Sequence, residues 1–112
     1  MHRVIIVEDE PVLRRTLKRY LDRMGFEVVE AGSVAEAQAE FSRGTPDLAL
    51  LDVGLPDGDG LGLLSHAGVE NSLVITAQPD PDRFREHGVL HHLAKPLDLP
   101  EVARTLLEIA AA

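Results

Sequence analysis

Val4-Ile5-Ile6-Val7-Glu8-Asp9-Glu10 decides how the rest of the chain is read. Four β-branched residues in an unbroken run mark a strand covered on both faces, and three acids follow it without a spacer. The pattern recurs. Leu48-Ala49-Leu50-Leu51 runs straight into Asp52, Leu73-Val74-Ile75 ends at Thr76, and residues 89–93 lead to Lys95. Residues 26–29 supply one further strand. Between these runs the apolar period changes to helical. Leu13, Leu17, Tyr20, Leu21 and Met24 share one helix face, and Gly25 stops it. Ser33-Val34-Ala35-Glu36 is a capping box, with Ser33 as N-cap and Glu36 reaching back to it. Val34, Ala37, Gln38 and Phe41 follow on one face, ended by Gly44.

The second half repeats the alternation with shorter helices. Pro56-Asp57-Gly58-Asp59-Gly60 is turn chemistry, and a short helix is expected over 59–67, weakened by Gly60 and Gly62. Asp80-Pro81 opens a helix that Gly88 stops after about two turns. Asp98-Leu99-Pro100-Glu101 opens the last one, with Leu99, Val102, Leu106 and Ile109 on its buried face. Five strand–helix pairs in strict alternation predict an α/β fold: a doubly wound, five-stranded parallel sheet with helices on both faces, residues 1–112 forming a single domain.

Composition narrows the function. Eleven Lys and Arg against nineteen Asp and Glu give a net charge of −8, and aromatic residues are 4% with no Trp. That balance disfavours direct nucleic-acid binding. With no Cys there are no disulfides, Cys-zinc sites or thiol chemistry. The apolar runs are short, and no charged-then-apolar pattern opens the chain, so the expectation is a cytoplasmic domain without membrane contact.

In a sheet of this class, ligands bind beyond the carboxyl ends of the strands, where strand order reverses. Glu8-Asp9-Glu10, Asp52, Thr76 and Lys95 all fall at such ends. Clustered carboxylates repel, and a hard cation such as Mg²⁺ (or Mn²⁺) relieves this through oxygen ligands. Cation, lysine and hydroxyl together suit the oxygens of a transferring phosphoryl group, with Asp52 as nucleophile. Each residue alone has an ordinary explanation: helix-dipole acid, turn aspartate, strand-end threonine, surface Lys-Pro. Their coincidence at four strand ends does not.

On these residues the chain resembles the receiver domain of two-component response regulators, a flavodoxin-like receiver fold. The resemblance runs through Leu50-Leu51-Asp52-Val53-Gly54-Leu55-Pro56, Val74-Ile75-Thr76-Ala77 and Leu93-Ala94-Lys95-Pro96. It implies that Asp52 accepts a phosphoryl group from a sensor histidine kinase or a histidine phosphotransfer protein. It implies a metal held by Asp9, Asp52 and the Gly54 carbonyl, with Glu8 acting through a metal-bound water. Lys95 and Thr76 would bind the phosphoryl group, and Pro96, following a cis bond, would orient the loop. Gly54 and Gln78 would flank the water that hydrolyses the phosphoaspartate. A downstream protein target, or an output domain outside this chain, would read the signal.

Two departures stand out. His92 occupies a switch position usually held by Tyr or Phe. The intervals Asp52 to Thr76 (24 positions) and Thr76 to Gly88 (12) are short for the family, so the third and fourth helices should be truncated. That puts the usual signalling surface of fourth helix, fifth strand and fifth helix in doubt. Two alternatives compete: a degenerate receiver that only binds partners, and a metal-dependent phosphohydrolase of the haloacid dehalogenase type. The latter places an Asp two residues after its nucleophile, where this chain has Gly54.

Overall fold

Successive side chains on a strand point to opposite faces, so the unbroken apolar runs demand cover on both sides of the sheet. A computed structural model describes residues 2–112 and provides that cover. The parallel sheet comprises β1 (Arg3–Val7), β2 (Glu27–Ala31), β3 (Leu48–Asp52), β4 (Ser72–Thr76) and β5 (His92–Ala94), in spatial order β2-β1-β3-β4-β5. Val4, Ile6, Leu48, Leu50, Leu73 and Ile75 point to one face, packing with Leu17 and Leu21 of α1 (Pro11–Arg23) and with Val102, Leu106 and Ile109 of α5 (Leu99–Ala111). Their neighbours Ile5, Val7, Ala49, Leu51 and Val74 point to the other. There they meet Ala37 and Phe41 of α2 (Val34–Arg43), Leu64 and Ala67 of α3 (Leu64–Ala67) and Phe84 of α4 (Pro81–His87).

The expected truncation is present. A tight 3₁₀ turn over Gly60–Leu63 feeds an α3 of four residues, and α4 has seven. Gly88 ends α4 in the left-handed conformation (φ 70°), which glycine adopts without steric cost. Gly60 serves a different purpose from the helix-weakening one its sequence suggests. A Cβ there would overlap the Asp52 carbonyl oxygen, and the Gly60 N–H donates to Val53 O at 2.9 Å. The missing side chain lets the loop close directly onto the end of β3.

Several local expectations are corrected. β5 begins at His92, not at residue 89, because the Val89 N–H donates to Phe84 O and is spent on closing α4. β2 runs on to Ala31, in register with Val7. Ser33 accepts from Glu36 N as expected, but the Glu36 carboxylate accepts from Gly32 N, one residue before the cap. Gln38 and Met24 are exposed rather than core-facing. Among the described residues, no helix is long and apolar enough to cross a membrane.

Candidate functional site: an acidic cleft at the carboxyl edge

β1 and β3 are neighbours, and the chain leaves β1 for β2 on one side and β3 for β4 on the other. Their carboxyl ends therefore frame the crevice left by the reversal. Glu8 follows β1, Asp52 ends β3, Thr76 ends β4, and Lys95 follows β5. All four line one cleft of about 600 Å³, together with Asp9, Gly54 and Gln78.

The cleft is organised by one lysine. Lys95 Nζ donates to Glu8 Oε1 at 2.7 Å and to Asp52 Oδ2 at 3.3 Å. The second Glu8 oxygen accepts from Glu10 N at 3.1 Å, so both oxygens of a fully buried carboxylate are engaged. Asp9, next in sequence, is exposed. Glu8, Asp9 and Asp52 each bring an oxygen within 4.8 Å of the others, a spacing that can hold a metal ion. Glu10 of the acidic triplet takes no part in this group; it is the N-cap residue of α1. Thr76 is buried, and its Oγ1 accepts from Gln78 N at 3.1 Å.

Burial and the nearby Glu8 charge push the Asp52 carboxyl up to about 6, against an ordinary 3.8, with Lys95 only partly opposing them. Burial alone would raise Glu8 as well. Hydrogen bonds from Lys95, the Glu10 N–H and protonated Asp52 outweigh it and hold Glu8 below its ordinary value. Burial likewise disfavours the charged Lys95, but its two carboxylate partners prevail and raise it. One group of the pair is thus a committed anion, while the other sits near the edge of ionisation.

Two anticipated residues lie elsewhere. His92 is exposed on β5, its ring tilted against Phe84 of α4 with centroids 4.9 Å apart, outside the cleft. Pro96 lines a neighbouring groove with Val12, Leu13 and Leu97, and the Lys95–Pro96 bond is cis.

Strand order, strand-end chemistry and the Lys95 bridge coincide with one known arrangement. The family model for the response regulator receiver domain matches residues 4–107. The chain belongs to that family. This receiver is 33% identical over 112 residues to the KDP operon transcriptional regulatory protein KdpE of Escherichia coli, covering 95% of this chain and 50% of that one. It is 35% identical over 109 residues to the virulence transcriptional regulatory protein PhoP of Salmonella typhimurium, covering 91% and 49%. The receiver thus spans about half the length of these relatives. Its fold matches the receiver domain protein of Methanospirillum hungatei with a TM-score of 0.90 at 24% identity, over 99% and 94% of the two chains. The family carries two-component signal transduction, and its receiver domains act as switches.

Three residues escaped the sequence reading. Arg83 of α4 lines the cleft and forms an ion pair with Asp59. Arg14 of α1 donates to Glu8 O at 2.9 Å and pairs with Glu30 at 3.3 Å, bracing the β1–α1 loop. Asp57, read as a turn residue, accepts from Val34 N and Ala35 N and caps α2 from across the molecule. No spacing rule signals these contacts, because each joins separate segments through the tertiary fold.

Proposed function

We propose that Asp52 accepts a phosphoryl group from the phosphohistidine of a sensor histidine kinase or a histidine phosphotransfer protein, and that the modified domain is the signalling form. A carboxylate oxygen of Asp52 forms the new P–O bond as the donor's P–N bond breaks, the imidazole keeping the electron pair and taking a proton. Lys95 neutralises charge on the phosphoryl oxygens, and Thr76 donates its hydroxyl to one of them. Asp9, Asp52 and the Gly54 carbonyl would hold Mg²⁺ (or Mn²⁺), with Glu8 contributing through a water. The ion, when bound, supplies charge neutralisation at the transferring oxygens. Gly54 and Gln78 border the approach of hydrolytic water. The setting is the cytoplasm, and the reader is a downstream protein or an output domain outside this chain; KdpE and PhoP are transcriptional regulators by name.

The observation that carries this reading is Lys95 bridging Glu8 and Asp52 at the sheet edge. It places a cation against the one buried carboxylate whose proton leaves near neutrality. The same bridge disfavours a partner-binding role without chemistry, which has no use for a buried acidic pair. Intact mass after incubation with acetyl phosphate and Mg²⁺ tests it. A gain of one phosphoryl group that vanishes in Asp52→Asn is expected; labelling that persists there overturns the assignment.

A further inference from the structure

Glu8, Asp9 and Asp52 on the cleft wall are opposed by two cations, Lys95 and Arg83. Lys95 is already shared between Glu8 and Asp52. Arg83 is held differently. Its partner Asp59 lies in the loop after β3, opposite Gly54 in a two-residue antiparallel ribbon, and one residue before the glycine that seats on the Asp52 carbonyl. Arg83 and Asp52 line the same cleft, and Gly54, which lines it too, adds no side chain to it; a Cβ there would meet nothing within 4 Å. The pair is about 40% exposed on both sides (42% and 38%), and solvated pairs of this kind are weak. A guanidinium fork also matches phosphoryl oxygens better than a single carboxylate oxygen whose twin is occupied. Asp59 Oδ1 is so occupied, accepting from Leu61 N at 2.9 Å.

We infer that Arg83 is a second phosphoryl-binding cation of this site, parked on Asp59, and that it transfers to the phosphoryl oxygens when Asp52 is modified. The transfer exchanges one ion pair for another and releases the first turn of α4 from the loop that follows Asp52. Arg83 stands seven positions after Thr76, in the first turn of α4, and so faces the cleft that Thr76 lines. The inference rests on the phosphoacceptor reading above.

The test exploits opposite signs. Beryllofluoride with Mg²⁺ mimics the phosphoryl group, and its affinity can be followed by amide NMR in the full chain. Arg83→Gln should weaken binding roughly two- to fivefold, the span of an exposed ion pair. Asp59→Asn keeps the acceptor for Leu61 N–H but removes the competing anion, so it should tighten binding by a similar factor. The double variant should behave as Arg83→Gln. An Asp59→Asn that fails to tighten, or an Arg83→Gln that fails to weaken, overturns the inference. If the pair merely braced the fold, both variants would shift affinity the same way. Mass gain with acetyl phosphate is measured in parallel on every variant. Normal labelling with the wrong affinity pattern removes only the role of Arg83, whereas no labelling in the unmodified protein removes the phosphoacceptor reading beneath it.

Discussion

The two faces of the sheet are built by different means. One is covered by α1 and α5, thirteen residues each, whose apolar stripes bury Leu17, Leu21, Val102, Leu106 and Ile109. The other is covered by helices of ten, four and seven residues. A short helix recovers little of its nucleation cost through propagation, so its ends must be stabilised from outside. They are. Asp57 and Ser33 cap α2, Asp59 caps the 3₁₀ turn before α3, and Asp80 accepts from Asp82 N and Arg83 N at the start of α4. α1 has no side-chain cap at all. Both faces bury a core, but the short-helix face adds polar tethers, two of them, from Asp57 and Asp59, in the loop that follows the phosphoacceptor. The mobile parts of a switch belong on the second kind of surface, where each contact is weak and reversible.

The largest effect should come from core truncation, and it should differ between the faces. Leu106→Ala, on a fully buried α5 position, is expected to cost about 2–5 kcal/mol. Leu64→Ala should fall at the low end of that range, because a four-residue helix can relax into the space. Denaturant melts of both variants decide. Equal losses would break the comparison.

Next in size is the charge stored at the site. Because Asp52 is raised to about 6 in the fold from 3.8, the native state holds its proton more tightly, and stability falls as pH rises through that window. Asp52→Asn removes this penalty. Above pH 6 the variant should be more stable by up to about 3 kcal/mol, and below 3.8 the gain should vanish. A gain independent of pH would mean that burial of charge is not its source.

Asp57→Ala should have a smaller effect of the opposite sign. The Ala35 and Val34 N–H groups hold the Asp57 carboxyl below its ordinary 3.8. Its contribution is therefore fully present above that value and is lost as pH falls through the depressed one. The variant should melt at a lower temperature near neutrality, with the difference closing in acid. Proton exchange should rise first at the start of α2, and unchanged exchange there would show that the tether carries nothing.

The smallest expected effect is none at all. Pairing of receivers through fourth helix, fifth strand and fifth helix needs a row of charges on the fourth helix. Here Arg83 is taken by Asp59 and Arg85 by Asp82 at 3.2 Å, which leaves Glu86. Light scattering with and without beryllofluoride should give the same mass. A dimer that forms on addition and is abolished by Arg85→Glu would show that the short-helix face pairs after all.

The strand runs, the capped starts of α4 and α5 and the residues at the strand ends were all legible in the chain, since each depends on neighbours in sequence. Asp52 follows Leu51 directly, and Glu8 follows Val7, so their arrival at the sheet edge needs only the parallel order. The shortness of α3 and α4 was equally a matter of counting residues. Other features were settled by packing in three dimensions: that Glu36 bonds Gly32, that β5 starts late because Val89 closes a helix, and that Gly60 must lack a side chain to seat on Asp52. The raised Asp52 carboxyl and the Arg83–Asp59 pair belong to the same class. Local pattern records which side chains are apolar and which can cap, because those preferences act over a few residues. Desolvation and ion pairing depend on what the rest of the chain places within a few ångströms, and only the folded arrangement determines that.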